Sequence, residues 1–579
     1  MPHDSQPLRS TPQSRLQWTT VFSVIAILAI GVANMTNNVA DTDLWGHVQY
    51  GREVLADGRL PSTSTWTYAA EGTPWINHEN LAELWLAYTV DHFGVWGLTV
   101  SKLLMGLAIV GLMIWSGRRA GAGWIAIAFS VFVATDLLYM HWHFRPQVLT
   151  YLALAILLAS WQYVFANWND VLSGDQAALK MFRQRQRWLW TLPLLFCLWA
   201  NAHGGFAAGL MIMAVYHAVR FLELGVSTRW KIRWPLVELL LIGASCVLAT
   251  LVNPYGFKLW EFMWMALRLP RTEITDFKPL SLMSSEAMMV LVAVVLVGIA
   301  LISSKRRKDL AQLLLLGLIL WQGLAHIRHV VIFAILCGFW LPGYLQQLVD
   351  LLKQRVNFES LAFSSRRARR VLVAGLCGVT LVCSIRILPQ LRMVEVDRNF
   401  YPVSALEFME NHNLQGKTLV TFNWAQYVLG YYATKQNGLV AIDGRYETCY
   451  PRTMIDQYFD FLFGEPDSSK RYRSPLTPDY DPDWALKHKQ PELVLIERNS
   501  FGNKVLEKHG EDWVLLYRDS LAQIWGRREK YDHPESLHYV PVAARQTGDL
   551  AQTGKVQWPA FPDAKPRKAS AEQFVSSHD

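Results

Sequence analysis

The sequence predicts an α-helical polytopic membrane protein of about eleven transmembrane helices, followed by a C-terminal extracytoplasmic α/β domain. Three observations point there. Of 579 residues, 52% are hydrophobic and only 18% charged, with 25 Trp, and the mean hydropathy is positive, a makeup typical of membrane bundles. Up to residue 388, apolar stretches of roughly 18 to 25 residues, enough to cross a ~30 Å hydrocarbon core as helix, alternate with short polar links. After residue 388 the chain changes to short strand-like and helical segments. Uninterrupted apolar runs lack the alternation of a lipid-facing barrel, so helices are the remaining way to satisfy the backbone in lipid.

In chain order, a cytoplasmic tail (1–17) leads to spans near residues 18–38, 95–116, 121–139, 146–167, 187–202, 205–224, 235–252, 287–303, 309–325, 329–348 and 371–388. Gly31-Val32-Ala33 offers small residues to a signal peptidase, but the leader and span lengths suit an anchor. Basic clusters at Arg118-Arg119, Lys180 to Arg187, Arg229 to Arg233, Lys305 to Lys308 and Arg366 to Arg370 fall on alternate loops. Basic loops stay in the cytoplasm, so the N-terminus is cytoplasmic and everything after residue 388 lies outside. The same loops account for the net charge of +8 beside anionic lipid, without nucleic acid. Five of the six cysteines fall in spans, which leaves Cys449 no partner in the outer domain.

Polar residues concentrate on the outer loops. Eight of the nine histidines between residues 18 and 388 belong there, and only His217 does not. The first outer loop (39–94) carries Asp41-Thr42-Asp43-Leu44-Trp45-Gly46-His47 and then Trp75-Ile76-Asn77-His78-Glu79-Asn80. Later loops add His141 to Pro146, the His203-Gly204-Gly205 turn, Asn253-Pro254-Tyr255-Gly256 with Arg271, Asp276 and Lys278 beyond it, and His326 to His329. Ionisable groups gathered at a membrane face mark a site more often than each does alone. Asp41, Asp43, His47, His78 and Glu79 offer ligands to a divalent metal, although their spacing matches no zinc code. A carboxylate base beside cations that hold a phosphate is the other chemistry these types support. Residues near Leu44 are expected to form a helix along the interface, its apolar side in lipid, with Asp41 as a candidate cap.

The order of these motifs resembles the GT-C glycosyltransferases, more narrowly the bacterial group similar to lipopolysaccharide-core and dolichyl-phosphate-mannose mannosyltransferases. The resemblance rests on Asp41 to His47, Gly58-Arg59-Leu60-Pro61, Trp75 with His78-Glu79, Arg145-Pro146-Gln147, the Trp199 to Phe206 turn, Asn253 to Gly256, Arg328, Tyr401-Pro402 and Asp443-Gly444-Arg445. It implies a bacterial cytoplasmic membrane enzyme that takes a sugar from a polyprenyl-phosphate donor and passes it to a glycan, lipid or protein acceptor at the outer face. Asp41 or Asp43 would be the catalytic base. Arg145, His203, Lys278 and Arg328 would hold phosphate charge, and His47, His78 and Glu79 would contact substrate or complete a metal site. A catalytically silent scaffold and a transporter or flippase are the alternatives.

Within the outer domain (389–527), residues 404–411 read as helix and 417–422, 439–442, 492–496 and 513–517 as strands. Residues 528–579 are polar and patternless, and are expected to form a disordered tail.

Overall fold

The computed structural model describes residues 18–36, 38–355, 366–465 and 471–562. The tail 1–17 and residues 563–579 lie outside the described residues. Helices α1 (Trp18–Met35), α2 (Leu44–Asp57), α3 (Asn80–Arg119), α4 (Trp124–Tyr139) and α5 (Gln147–Val164) lead to two short helices, α6 (Trp168–Leu172) and α7 (Gln176–Gln186). After them come α8 (Leu192–Ala202), α9 (Phe206–Ser227), α10 (Trp234–Ala249), α11 (Phe257–Arg268), α12 (Ser285–Ser303), α13 (Leu310–Ala325), α14 (Val330–Arg355) and α15 (Arg366–Gln390).

Among the described residues, seven helices are long and apolar enough to cross a membrane: α1, α3, α5, α9, α12, α14 and α15. The apolar helices α4, α10 and α13 are shorter, at 16 residues each. The span expected at 187–202 is broken into a 3-10 turn (Arg187–Thr191) and the 11-residue α8. Pro193 sits in the first turn of α8, where its missing N–H costs no helical bond. Gly94 adopts φ 63° inside α3 and divides a half that packs on α2 from a half that runs into the bundle.

The C-terminal part begins with β1 (Glu395–Asp397), α16 (Val403–Asn411), β2 (Gly416–Val420), α17 (Ala425–Lys435), β3 (Gly438–Val440), α18 (Arg452–Phe463), α19 (Trp484–Lys487) and β4 (Leu493–Glu497). It ends with α20 (Gly502–Lys508), β5 (Trp513–Arg518), β6 (Ala522–Arg527), α21 (Arg528–Tyr531), β7 (Gln546–Thr547) and β8 (Lys555–Gln557). One mixed sheet has the order β3-β2-β4-β6-β5-β7, parallel across β3-β2-β4 and antiparallel through β6 to β5. Such a parallel set, reached through α17 and α18, is what short apolar strands alternating with helices build.

Two expectations are corrected. Residues 528–562 are not featureless: α21 closes on the sheet, β7 pairs with β5, and β8 pairs antiparallel with β1. Local pattern could not reveal strands this short, because their partners lie far along the chain, Glu395 pairing with Gln557. The apolar side of α2 does not face lipid either. Leu44, Trp45 and Val48 are buried in one core with Tyr401, Trp424 and Tyr427, so the C-terminal domain covers them.

Candidate active site

The segment entering the first loop is strapped to the C-terminal domain. Glu395 N–H donates to the Asn38 carbonyl and Ala40 N–H to the Glu395 carbonyl, both at 2.7 Å, while the Tyr401 hydroxyl donates to the Ala40 carbonyl. That strap fixes Asp41. Its Oδ1 accepts the Asp43 N–H at 3.1 Å, an Asx turn that leads into α2. Asp43, rather than Asp41, occupies the N-cap position, and its side chain makes no capping bond.

Both acids meet Arg145, which follows the buried Phe144 in the turn between α4 and α5. Its guanidinium pairs with Asp41 through Nε, with Asp43 Oδ2 at 3.2 Å and with Asp276 Oδ2 at 3.1 Å. Burial alone would raise Asp41, but Arg145 and His143 outweigh it and hold the carboxyl below its usual range. Asp43 responds in the opposite sense: burial, reinforced by the Asp41 charge, outweighs Arg145 and lifts it to about 6.

A second cluster lies beside the first. Gly51 lets α2 approach α3 closely, since a Cβ there would stand 2.6 Å from the Glu83 carbonyl carbon. That approach places His47 Nδ1 at 3.2 Å from Glu83 Oε1. Burial disfavours the imidazolium, yet Glu83, Glu79 and Asp43 together raise His47 to about 9, so it is a cation at neutral pH. Asn77 donates to Glu83 Oε2 at 2.6 Å and accepts the Glu79 N–H at 3.1 Å. The Tyr255 hydroxyl in turn accepts the Asn77 N–H at 3.0 Å, which gives the Asn253 to Gly256 turn a role in the site.

Glu79 Oε1 faces His203 Nε2 at 3.6 Å and His78 Nε2 at 4.0 Å. Trp199 Nε1–H donates to Thr150 Oγ1 at 2.8 Å, so the Thr150 hydroxyl donates onward to His203 Nδ1, also at 2.8 Å. Gly205 N–H donates to the same nitrogen. His203 therefore carries its proton on Nε2, toward Glu79. Burial pushes its pKa down to about 3, so the ring is neutral.

Arg328 stacks over the Phe277 ring at 4.5 Å and has no carboxylate in ion-pair range among the described residues. Arg271 stacks over that ring at 4.6 Å but is paired with Glu447 at 2.9 Å. Lys278 is exposed and ties in through its backbone, its N–H donating to the Thr275 carbonyl and its carbonyl accepting the Ile327 N–H beside Arg328.

Of the residues singled out in the sequence, the structure brings Asp41, Asp43, His47, His78, Glu79, Arg145 and His203 together and leaves Lys278 apart, and it adds Glu83, Thr150 and the pairing of Asp276. The metal-ligand set also changes. Arg145 occupies the Asp41 and Asp43 carboxylates, and among the described residues the group whose ligand atoms all lie within 4.8 Å of one another is His47, Glu79 and Glu83. One imidazole and two carboxylates form a donor set a divalent ion accepts, once it displaces the His47 proton.

No protein-family model matches the chain, and no curated protein matches it by sequence. Solved structures do match. The oligosaccharyltransferase of Archaeoglobus fulgidus, solved with a tethered acceptor peptide containing the NVT sequon, is 11% identical with a TM-score of 0.52. That match covers 83% of this chain and 69% of the other. ArnT from Cupriavidus metallidurans in its apo state is 12% identical with a TM-score of 0.51, over 89% of this chain and 98% of the other. Both are GT-C proteins. This chain has the GT-C fold: a polytopic helical membrane domain with a C-terminal domain.

Proposed function

We propose that the protein is a membrane glycosyltransferase that moves a sugar from a polyprenyl-phosphate donor to a glycan, lipid or protein acceptor, at the outer face of a bacterial cytoplasmic membrane. The observation that carries this is the division of labour between the two acids. Arg145 pairs with both acids, but with His143 it holds Asp41 below its usual range, whereas burial and the Asp41 charge lift Asp43 to about 6, where it exchanges a proton near neutral pH as a general base must.

In the proposed reaction the acceptor oxygen or nitrogen attacks the anomeric carbon as the bond from that carbon to the phosphate oxygen breaks. The acceptor's proton passes to Asp43, and the polyprenyl phosphate departs as an anion. Arg328, with no carboxylate in ion-pair range among the described residues, meets that charge, and His203 Nε2–H is a second donor. His47, Glu79 and Glu83 would hold a divalent ion, which when bound supplies charge neutralisation to the phosphate.

The test is incubation of purified protein with a panel of labelled polyprenyl-phosphate sugars. Acceptor-dependent loss of donor is expected. A protein that turns over none of a broad panel is a silent scaffold instead.

A further inference from the structure

We propose that Gln426, contributed by the C-terminal domain, is a positioning residue for Asp43, and that the first loop and the domain interlock around its amide to fix that carboxylate. The inference rests on Asp43 as the base of the proposed transfer.

Gln426 lies in the first turn of α17 and is 3% exposed. Two glycines flank its amide. A methyl at Gly46, on α2, would overlap Gln426 Oε1 and Cδ. A methyl at Gly444 would overlap Asp43 Oδ1 and stand 2.5 Å from Gln426 Nε2. Asp43 Oδ1 and Gln426 Nε2 therefore border the same point above Gly444, an acceptor beside a donor. The other carboxylate oxygen, Oδ2, is the one on Arg145. Asp43 thus sits between a cation of the membrane domain, which pairs with it, and an amide of the C-terminal domain, whose Nε2 borders it above Gly444.

Neither wall yields easily. Trp45, next to Gly46, packs on Tyr427 at 4.9 Å between ring centroids, which locks α2 to α17. The turn bearing Gly444 is fixed by Arg445 Nη2 on Asp443 Oδ2 at 2.7 Å and by the Tyr50 hydroxyl donating to the same oxygen at 3.2 Å. Gln426 Oε1 is buried without a hydrogen-bond partner, a situation that typically costs about 1–3 kcal/mol. Leu or Met would fill the space without that penalty. A role in packing alone does not explain an amide here; a donor group bordering the working acid does.

The experiment compares wild type, Gly46→Ala, Gly46→Ala/Gln426→Ser and Gln426→Leu in full-length purified protein, by donor turnover and thermal melting. Gly46→Ala drives the amide onto Asp43 and is expected to lower kcat on the order of 100-fold, with KM for the donor within about twofold of wild type. Trimming Gln426 in that background should return about tenfold of the loss. Gln426→Leu, which keeps the volume, should lower kcat about tenfold without lowering the melting temperature. Equal loss in the single and double variants, a loss confined to KM, or full activity in Gln426→Leu overturns the proposal. If wild type transfers no sugar at all, the proposed reaction fails by itself, and melting still reads the interlock. Gly46→Ala then lowers the transition and Gln426→Ser restores it; absence of that rescue overturns the interlock.

Discussion

Replacing Asp43 with Asn is expected to remove activity while making the protein more stable at neutral pH. Asp43 is raised from 3.8 to about 6 because burial outweighs Arg145. A raised acid contributes its stabilisation fully below the unfolded value of 3.8 and loses it as pH climbs through 6. A shift of about two units at 1.36 kcal/mol each puts the neutral-pH penalty at about 3 kcal/mol, an order-of-magnitude figure. Asn has the same shape and no charge, so Asp43→Asn should gain up to about 3 kcal/mol at about pH 8 and almost nothing near pH 4. Thermal unfolding of wild type and variant in detergent at the two pH values reads the difference. A variant less stable than wild type at the higher pH refutes the reasoning, because Arg145 would then stabilise the ionised carboxylate by more than burial costs it.

Three further outcomes follow from the same geometry. Arg145→Gln leaves Asp41, Asp43 and Asp276 without their shared cation and should cost about 3–5 kcal/mol in denaturant melts, with Arg145→Lys in between. Arg445→Met strands the fully buried Asp443, so it should cost a similar ~3–5 kcal/mol and speed limited proteolysis between the first loop and the C-terminal domain. Transfer by wild type should fall about tenfold per pH unit below about pH 6, as Asp43 takes up its proton; a rate flat down to pH 4 contradicts its role as base.

How much of this was legible in the sequence depends on the range of the interaction. Apolar run length marks a helix whatever surrounds it, so the expected spans meet α1, α3 to α5, α9, α10 and α12 to α15. The span expected at 187–202 is instead a 3-10 turn and the 11-residue α8, and the one expected at 95–116 is the second half of the longer α3. Asp41, Asp43, His78, Glu79, Arg145, His203 and Arg328 stood out because ionisable groups collected on alternate loops. Glu83 did not, since at the start of α3 it passes for a solvated helix position until Gly51 brings α2 against it. Thr150 was hidden inside an apolar run, where a relay from Trp199 to His203 has no local signature. Gln426 and Asp443 reach the first loop across nearly 400 residues of chain (393 between Tyr50 and Asp443). No spacing rule spans that separation. The cover over the apolar side of α2 was misread for the same reason, because such a side looks alike whether lipid or a domain covers it.

The central claim is that Asp43 is the base of a sugar transfer from a lipid-linked donor. Acceptor-dependent donor turnover, measured side by side for wild type, Asp43→Asn and Asp41→Asn, tests it most directly. The account predicts that Asp43→Asn loses about 10²–10⁴-fold in kcat with donor KM little changed, and that Asp41→Asn, which releases Arg145, is impaired as well. An Asp43→Asn variant that transfers sugar at the wild-type rate contradicts it.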